Sequence, residues 1–233
     1  MTESMITVQD VSKSFFRGGE ELRVLDHLDL EMEAGNFYAL MGPSGSGKTT
    51  LLNLVGGLDR PDAGSINVAG NEVSSLTGAA LSNWRSRNIG FVFQGFNLIP
   101  VLSALENVRL PLSLTPLSRK QQNENAKFAL EVVGLGDRLG HRPSQLSGGQ
   151  EQRVAIARAI ATDPRVLLCD EPTGDLDRDN ADAVLDLLVK LKDELGKTIL
   201  MVTHDALAAA RADLIVHMDK GRLGRIEETQ SAS

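Results

Sequence analysis

The chain has 233 residues, 42% apolar and 24% charged, a balance that excludes disordered and fibrous classes. Its 24 Lys and Arg against 31 Asp and Glu leave a formal net charge of −7, the reverse of a nucleic-acid backbone binder, so no nucleic-acid partner is expected. No apolar run approaches the ~20 residues that span a bilayer. Residues 1–10 show no secretory pattern, which leads to an expected cytoplasmic location.

Residues 6–11 alternate apolar and polar with period two, and residues 24–32 repeat the alternation beyond a Gly18-Gly19 turn, which predicts two half-buried strands. Residues 37–41 are apolar throughout, as are 166–169 and 198–202, the pattern of parallel strands covered on both faces. Residues 65–73 surround Gly70-Asn71, a dipeptide suited to a tight hairpin. From Gly95 to Arg158 the composition shifts to helix formers, with 120–133 as its clearest amphipathic piece and Pro100, Pro111, Pro116 and Pro143 as punctuation. Ala181, Val184, Leu185, Leu188 and Leu191 then make one helical stripe that Gly196 can end. Strand, helix, strand is the α/β pattern. Cys169, alone in the chain and inside an apolar run, reads as a buried structural thiol, and the polar residues 227–233 as a loose end.

Chemistry concentrates at two strand ends. Gly42-Pro43-Ser44-Gly45-Ser46-Gly47-Lys48-Thr49 has phosphate-loop spacing and lies between the strand 37–41 and a helix expected over residues 50–54. Glycines let successive N–H groups turn inward on phosphates, the helix N-terminus adds positive potential, Lys48 reaches the β and γ phosphates, and Thr49 offers its hydroxyl to Mg²⁺. Thr50 heads the helix and completes the phosphate-binding set. Asp170 and Glu171 follow the apolar strand 166–169, at the sheet edge where α/β ligands bind. Two adjacent acids there suit two roles: Asp170 in the Mg²⁺ shell, and Glu171 orienting and deprotonating the attacking water.

Leu146-Ser147-Gly148-Gly149-Gln150, followed by a helix expected over 152–161, resembles the signature sequence of ABC ATPases. The resemblance runs from the first strand to about Gly221. It implies an α/β fold: a P-loop NTPase (RecA-like) core with a mainly parallel sheet, an antiparallel β layer and an inserted α-helical subdomain. The chain is then a single domain over 1–233. Residues 1–94 and 159–233 form the nucleotide-binding core, and 95–158 the helical subdomain carrying the signature. Physically, Ser147, Gly148 and Gly149 open a helix and so form a second anion site, with Gln150 beside them. The family places this signature against the phosphate loop of a second subunit, which implies a homodimer that buries two ATP molecules.

The resemblance assigns further residues. Phe15, with Phe16 as the alternative, stands where an aromatic ring stacks on adenine. Gln94 matches the glutamine that joins core to helical insertion and senses Mg²⁺ and the attacking water. His204 matches the histidine that contacts the γ phosphate and polarises the water site. Asp175 stands where many members carry a small residue or Asn. His27, His141 and His217 match no motif and form no metal-ligand cluster with Cys169.

Among family branches, residues 42–48, 57–61, 91–100 and 106–108 look most like lipoprotein-releasing and macrolide-exporter ATPases. That branch implies an integral membrane permease as partner and lipidated or amphiphilic cargo. A cell-division relative that signals through its membrane partner is one alternative. A soluble non-transport member is another, which the acidic charge disfavours.

Overall fold

The structure is a computed structural model that describes residues 4–229. In chain order it forms β1 (Ser4–Arg17), β2 (Glu20–Glu33), β3 (Phe37–Met41), α1 (Lys48–Val55), β4 (Ala63–Val68) and β5 (Asn71–Glu72). There follow α2 (Gly78–Asn88), β6 (Ile89–Phe93), α3 (Ala104–Arg109), α4 (Arg119–Val132), α5 (Gly148–Ile160) and β7 (Val166–Asp170). The last part holds α6 (Arg178–Leu195), β8 (Thr198–Val202), α7 (Ala206–Ala209), β9 (Leu214–Asp219) and β10 (Arg222–Glu228).

Two sheets result. The antiparallel sheet runs β2-β1-β4-β5, with Ile6 opposite Met32 on one side and Val68 on the other, so the period-two apolar positions share one buried face. The second sheet runs β10-β9-β3-β8-β7-β6, with all pairs parallel except β10 with β9. Its central strands are apolar apart from Thr198 at the start of β8 and Asp170 at the end of β7, because both faces are covered. Phe37, Ala39, Leu167, Cys169, Ile199 and Met201 share a core with α4, α5 and α6. Tyr38, Leu40, Val166, Leu168, Leu200 and Val202 share the other core with α1 and the antiparallel sheet. Parallel register, such as Phe37 with Ile199 and Leu167 with Ile199, keeps each set on its own face. Each fully buried large side chain contributes about 1.5–3 kcal/mol.

The α/β class, the mainly parallel sheet and the antiparallel layer are as expected. Residues 95–147 carry α3 and α4 and lead into α5. Each of these three helices opens with the same device, a Ser whose hydroxyl accepts from the third helical N–H and a Glu or Gln that reaches back: Ser103 with Glu106, Ser118 with Gln121, Ser147 with Gln150. The α6 stripe is buried at Val184, Leu185, Leu188 and Leu191, and Gly196 ends it in the left-handed conformation at φ 62°. Cys169 is fully buried, and burial pushes its thiol pKa well above the ordinary value.

Some expectations need correction. The helix after the phosphate loop begins at Lys48, not 50, because Gly47 already caps it. The hairpin strand stops at Glu72, since Val73 turns into a short 3-10 segment and is buried there. Residues 227–229 are not loose. Glu227 and Glu228 complete β10, and the Thr229 N–H donates to Asp213 O at 2.9 Å. Residues 230–233 lie outside the described residues. The sequence reading also missed β6 as a strand, because Gly90 breaks its apolar run. That glycine is required by packing: a Cβ there would stand 2.4 Å from Ala159 O on α5.

Candidate functional site

The C-terminal ends of β3, β6, β7 and β8 lie side by side in the parallel sheet, and the chain turns out of each of them at a residue with chemistry. Phe93 is in register with Asp170, and Asp170 with Val202, so Gln94, Asp170-Glu171 and Thr203-His204 emerge along one edge. This is where open α/β sheets bind ligands.

The phosphate loop leaves β3 and enters α1. Gly47 caps the helix at φ 100°, and a Cβ at Gly42 would stand 2.1 Å from Met218 O, so β9 supports the loop from below. A cavity of about 480 Å³ opens over it, lined by Gly42, Ser44, Gly45, Gly47, Lys48, Thr49 and Thr50, with Leu22, Val24, Glu171 and His204 on its walls. Pro43 and Ser46 shape the loop itself, Ser46 N–H donating to Pro43 O at 3.2 Å. Lys48 is buried to 7% exposure and lies across the loop, donating to Gly42 O at 2.8 Å and Pro43 O at 2.9 Å. The first turn of α1 therefore presents free N–H groups and an ammonium to one small volume, the chemistry of a phosphate cradle.

Thr49 Oγ1 donates to Asp170 Oδ1 at 3.1 Å. Two oxygen ligands from two elements suit a hard cation such as Mg²⁺, which takes few carboxylates and keeps much of its water. Burial raises the Asp170 pKa. The Thr49 hydrogen bond opposes that shift, the Glu171 charge adds to it, and the Lys48 charge opposes it. A carboxylate deprived of water in this way favours a nearby positive charge.

Glu171 adopts φ 48°, a left-handed backbone unusual for a residue with a side chain. It is held so by Glu171 N–H donating to Val202 O at 2.9 Å and by Gly174 N–H donating to Glu171 O at 3.0 Å. The turn separates its carboxylate from that of Asp170 and brings Oε2 to 3.0 Å from His204 Nδ1. Gln94 Nε2 donates to Asp175 Oδ1 at 2.6 Å.

Phe15 and Phe16 fall near the far end of β1. Phe15 is opposite Leu22, which lines the cavity, and Lys13 Nζ lies 5.2 Å from the ring centre. Phe16 is opposite Glu21 and is 78% exposed. Ser147, Gly148, Gly149 and Gln150 lie elsewhere: they open α5, with Ser147 N–H donating to Gln150 Oε1 at 3.0 Å, and none of them lines the phosphate-loop cavity. The chain thus joins Lys48, Thr49, Asp170, Glu171 and His204 in one site and leaves the signature apart.

Sequence reasoning missed two residues that connect these parts. Gln152 on α5 is fully buried and donates from Nε2 to Pro172 O at 2.5 Å and Phe93 O at 3.2 Å, tying the signature helix to the ends of β6 and β7. Arg158 donates to Phe96 O at 2.8 Å and Asn97 O at 2.5 Å, bracing the two left-handed residues that follow Gln94. Glutamine and arginine are ordinary on helix surfaces, so neither carries a signal until packing shows it buried or bonded.

Comparison with known proteins agrees with this geometry. The family model described as "ABC transporter" matches residues 25–174. The chain is 46% identical to the lipoprotein-releasing system ATP-binding protein LolD of Syntrophotalea carbinolica, over 94% of this chain and 97% of that one. It is 50% identical to the macrolide export ATP-binding/permease protein MacB of Rhodopirellula baltica, over 93% of this chain but 32% of that longer protein. The fold matches the dimeric ATP-binding cassette MJ0796 in a post-hydrolysis state bound to ADP and Pi. That match has a TM-score of 0.88 and 40% identity, and covers 98% of this chain and 100% of that one.

Proposed function

The chain belongs to the ABC transporter family as an ATP-hydrolysing subunit, and from that premise we propose that two copies close around two ATP molecules to drive a separate integral membrane permease. One observation carries the dimer. The chain has two anion-binding helix ends, α1 behind the phosphate loop and α5 behind the signature, and they do not share a cavity. A two-fold partner brings Ser147, Gly148, Gly149 and Gln150 of one copy onto the phosphates held by the other. The MJ0796 cassette is dimeric in its post-hydrolysis state with ADP and Pi bound, in line with this arrangement.

Within each site Lys48, Ser44 to Thr50 and the loop amides hold the phosphates, and Phe15 stacks on adenine. Thr49, Asp170 and Gln94 would hold Mg²⁺, which supplies charge neutralisation on the phosphates when bound. Glu171 accepts a proton from the water that attacks the γ phosphorus as the bond to ADP breaks. His204, within hydrogen-bonding distance of Glu171, orients that carboxylate and would contact the γ phosphate of a bound nucleotide.

Residues 95–158 form the lever and the rest of the chain the nucleotide-binding core. Beside the edge strand β6, a groove of about 570 Å³ runs between core and lever, lined in part by Leu58, Phe91, Pro111 and Leu114. Leu114 is 76% exposed there and Leu58 49%, an apolar seat for the permease. The subunit works from the cytoplasmic face of the membrane through that partner; no helix of the described residues is itself long and apolar enough to cross a membrane. The likeness to LolD and MacB favours lipoprotein or other amphiphilic cargo. Affinity purification of the tagged chain from membranes tests the reading: a permease should co-purify, and Leu114→Asp should abolish its recovery while ATP binding persists. Recovery only with ribosomes or DNA overturns it.

A further inference from the structure

The loop leaving β6 and the turn leaving β7 are joined through one side-chain pair, Gln94 and Asp175. The bond between them is short, 2.6 Å from Nε2 to Oδ1, and exposed. A carboxylate accepts hydrogen bonds and has none to donate. Asp175 therefore fixes which end of the Gln94 amide faces it: Nε2 turns toward Asp175, and Oε1 is left as an acceptor on the other side. With an amide at position 175 either orientation of Gln94 would find a partner, and this selection would weaken.

A second contact acts on the same side chain. Gln94 lies flat across Gly174: a Cβ added there would stand 2.9 Å from Nε2, 3.0 Å from Cδ and 3.3 Å from Cγ. Gly174 is also the residue whose N–H closes the turn onto Glu171 O at 3.0 Å. The turn that sets the left-handed backbone of Glu171 thus also seats Gln94. An exposed hydrogen bond of this kind adds little to folding stability, so its consequence lies in where it holds the amide.

We propose that Asp175 and Gly174 are positioning residues for Gln94. The carboxylate orients its amide and the glycine leaves room for it, so that Gln94 and Glu171 are registered by a single turn within one chain. The proposal rests on the reading of Gln94 as a residue of the hydrolytic site.

Steady-state ATP hydrolysis by the full chain, with its permease, tests this in Asp175→Ala, Asp175→Asn, Gly174→Ala, Gln94→Ala and the double variant Gln94→Ala/Asp175→Ala. Asp175→Ala should lower kcat about tenfold, the scale of one charge-assisted hydrogen bond, with KM for ATP within about twofold and an unchanged melting temperature. Asp175→Asn, whose Oδ1 still accepts, should recover part of that loss. Gly174→Ala should lose a similar factor while folding normally, since its Cβ displaces only a flexible side chain. In the Gln94→Ala background, Asp175→Ala should cost nothing further, because positioning acts through Gln94. A wild-type kcat in Asp175→Ala, or the same loss with and without Gln94, overturns the proposal alone. A wild-type rate in Gln94→Ala overturns the reading of Gln94 and the proposal with it.

Discussion

Glu171 and His204 stand 3.0 Å apart, Oε2 to Nδ1, although 32 residues separate them and each leaves a different strand. Glu171 is the more enclosed of the two, at 29% side-chain exposure against 70% for His204. An imidazole whose Nδ1–H faces a carboxylate keeps Nε2 available for another partner. The two residues, given separate roles by the sequence, therefore stand close enough to act as a pair, and in the proposed mechanism His204 orients the base.

The sharpest consequence concerns Glu171 itself. Glu171→Gln should lose roughly 10²–10⁴ in turnover, the contribution of a positioned base, while binding of MgATP survives on Lys48, Asp170 and the loop amides. The variant should elute as a dimer from a sizing column with ATP and as a monomer without it. Adding Ser147→Arg should block that dimer. Wild-type turnover, or a monomer at saturating MgATP, contradicts the assigned base or the shared site. His204→Ala should cost less than Glu171→Gln, since the base remains.

Lys48 lines the cavity over the phosphate loop, and among the described residues its ammonium bonds only within its own loop, to Gly42 O, Pro43 O and Ser46 Oγ. Lys48→Ala should abolish measurable hydrolysis with an unchanged circular dichroism spectrum. Normal turnover in the folded variant rules out the phosphate role.

Phe15 faces the Leu22 side of the β1–β2 pair, whereas Phe16 is opposite Glu21 and mostly in solvent. Phe15→Ala should weaken ATP binding by ~1–3 kcal/mol, Phe15→Tyr should be tolerated, and Phe16→Ala should bind as wild type. Titration calorimetry decides between the rings; the opposite order of losses assigns the stacking to Phe16.

Asp170 offers a pH test. Burial raises its folded pKa above the ordinary 3.8, so folding favours the protonated form, and the ionised carboxylate costs stability once pH passes the folded value. Asp170→Asn should therefore raise the melting temperature at neutral pH in nucleotide-free buffer. The gain should shrink as pH falls and vanish below about 3.8, where the native residue is also protonated. The same variant should lose hydrolysis. A gain that does not change with pH attributes the effect to something other than the Asp170 charge.

What the sequence by itself determined was local or periodic. The phosphate-loop spacing between an apolar strand and a helix needs only neighbouring residues, and so does the pair of acids closing residues 166–171. The all-apolar runs at 37–41, 166–169 and 198–202 announce strands covered on both faces, because only such burial suits them. Strand β6 stayed hidden because Gly90, which reads as a break, is demanded by the close approach of α5, a contact 69 residues away. Gln152 and Arg158 were illegible for a related reason, since a polar helix residue shows its role only once its partners across the fold are known. The pairing of Glu171 with His204 and of Gln94 with Asp175 also needed tertiary structure. Parallel register between β6, β7 and β8 aligns strand ends that are distant in the chain, and that alignment decides which side chains can touch.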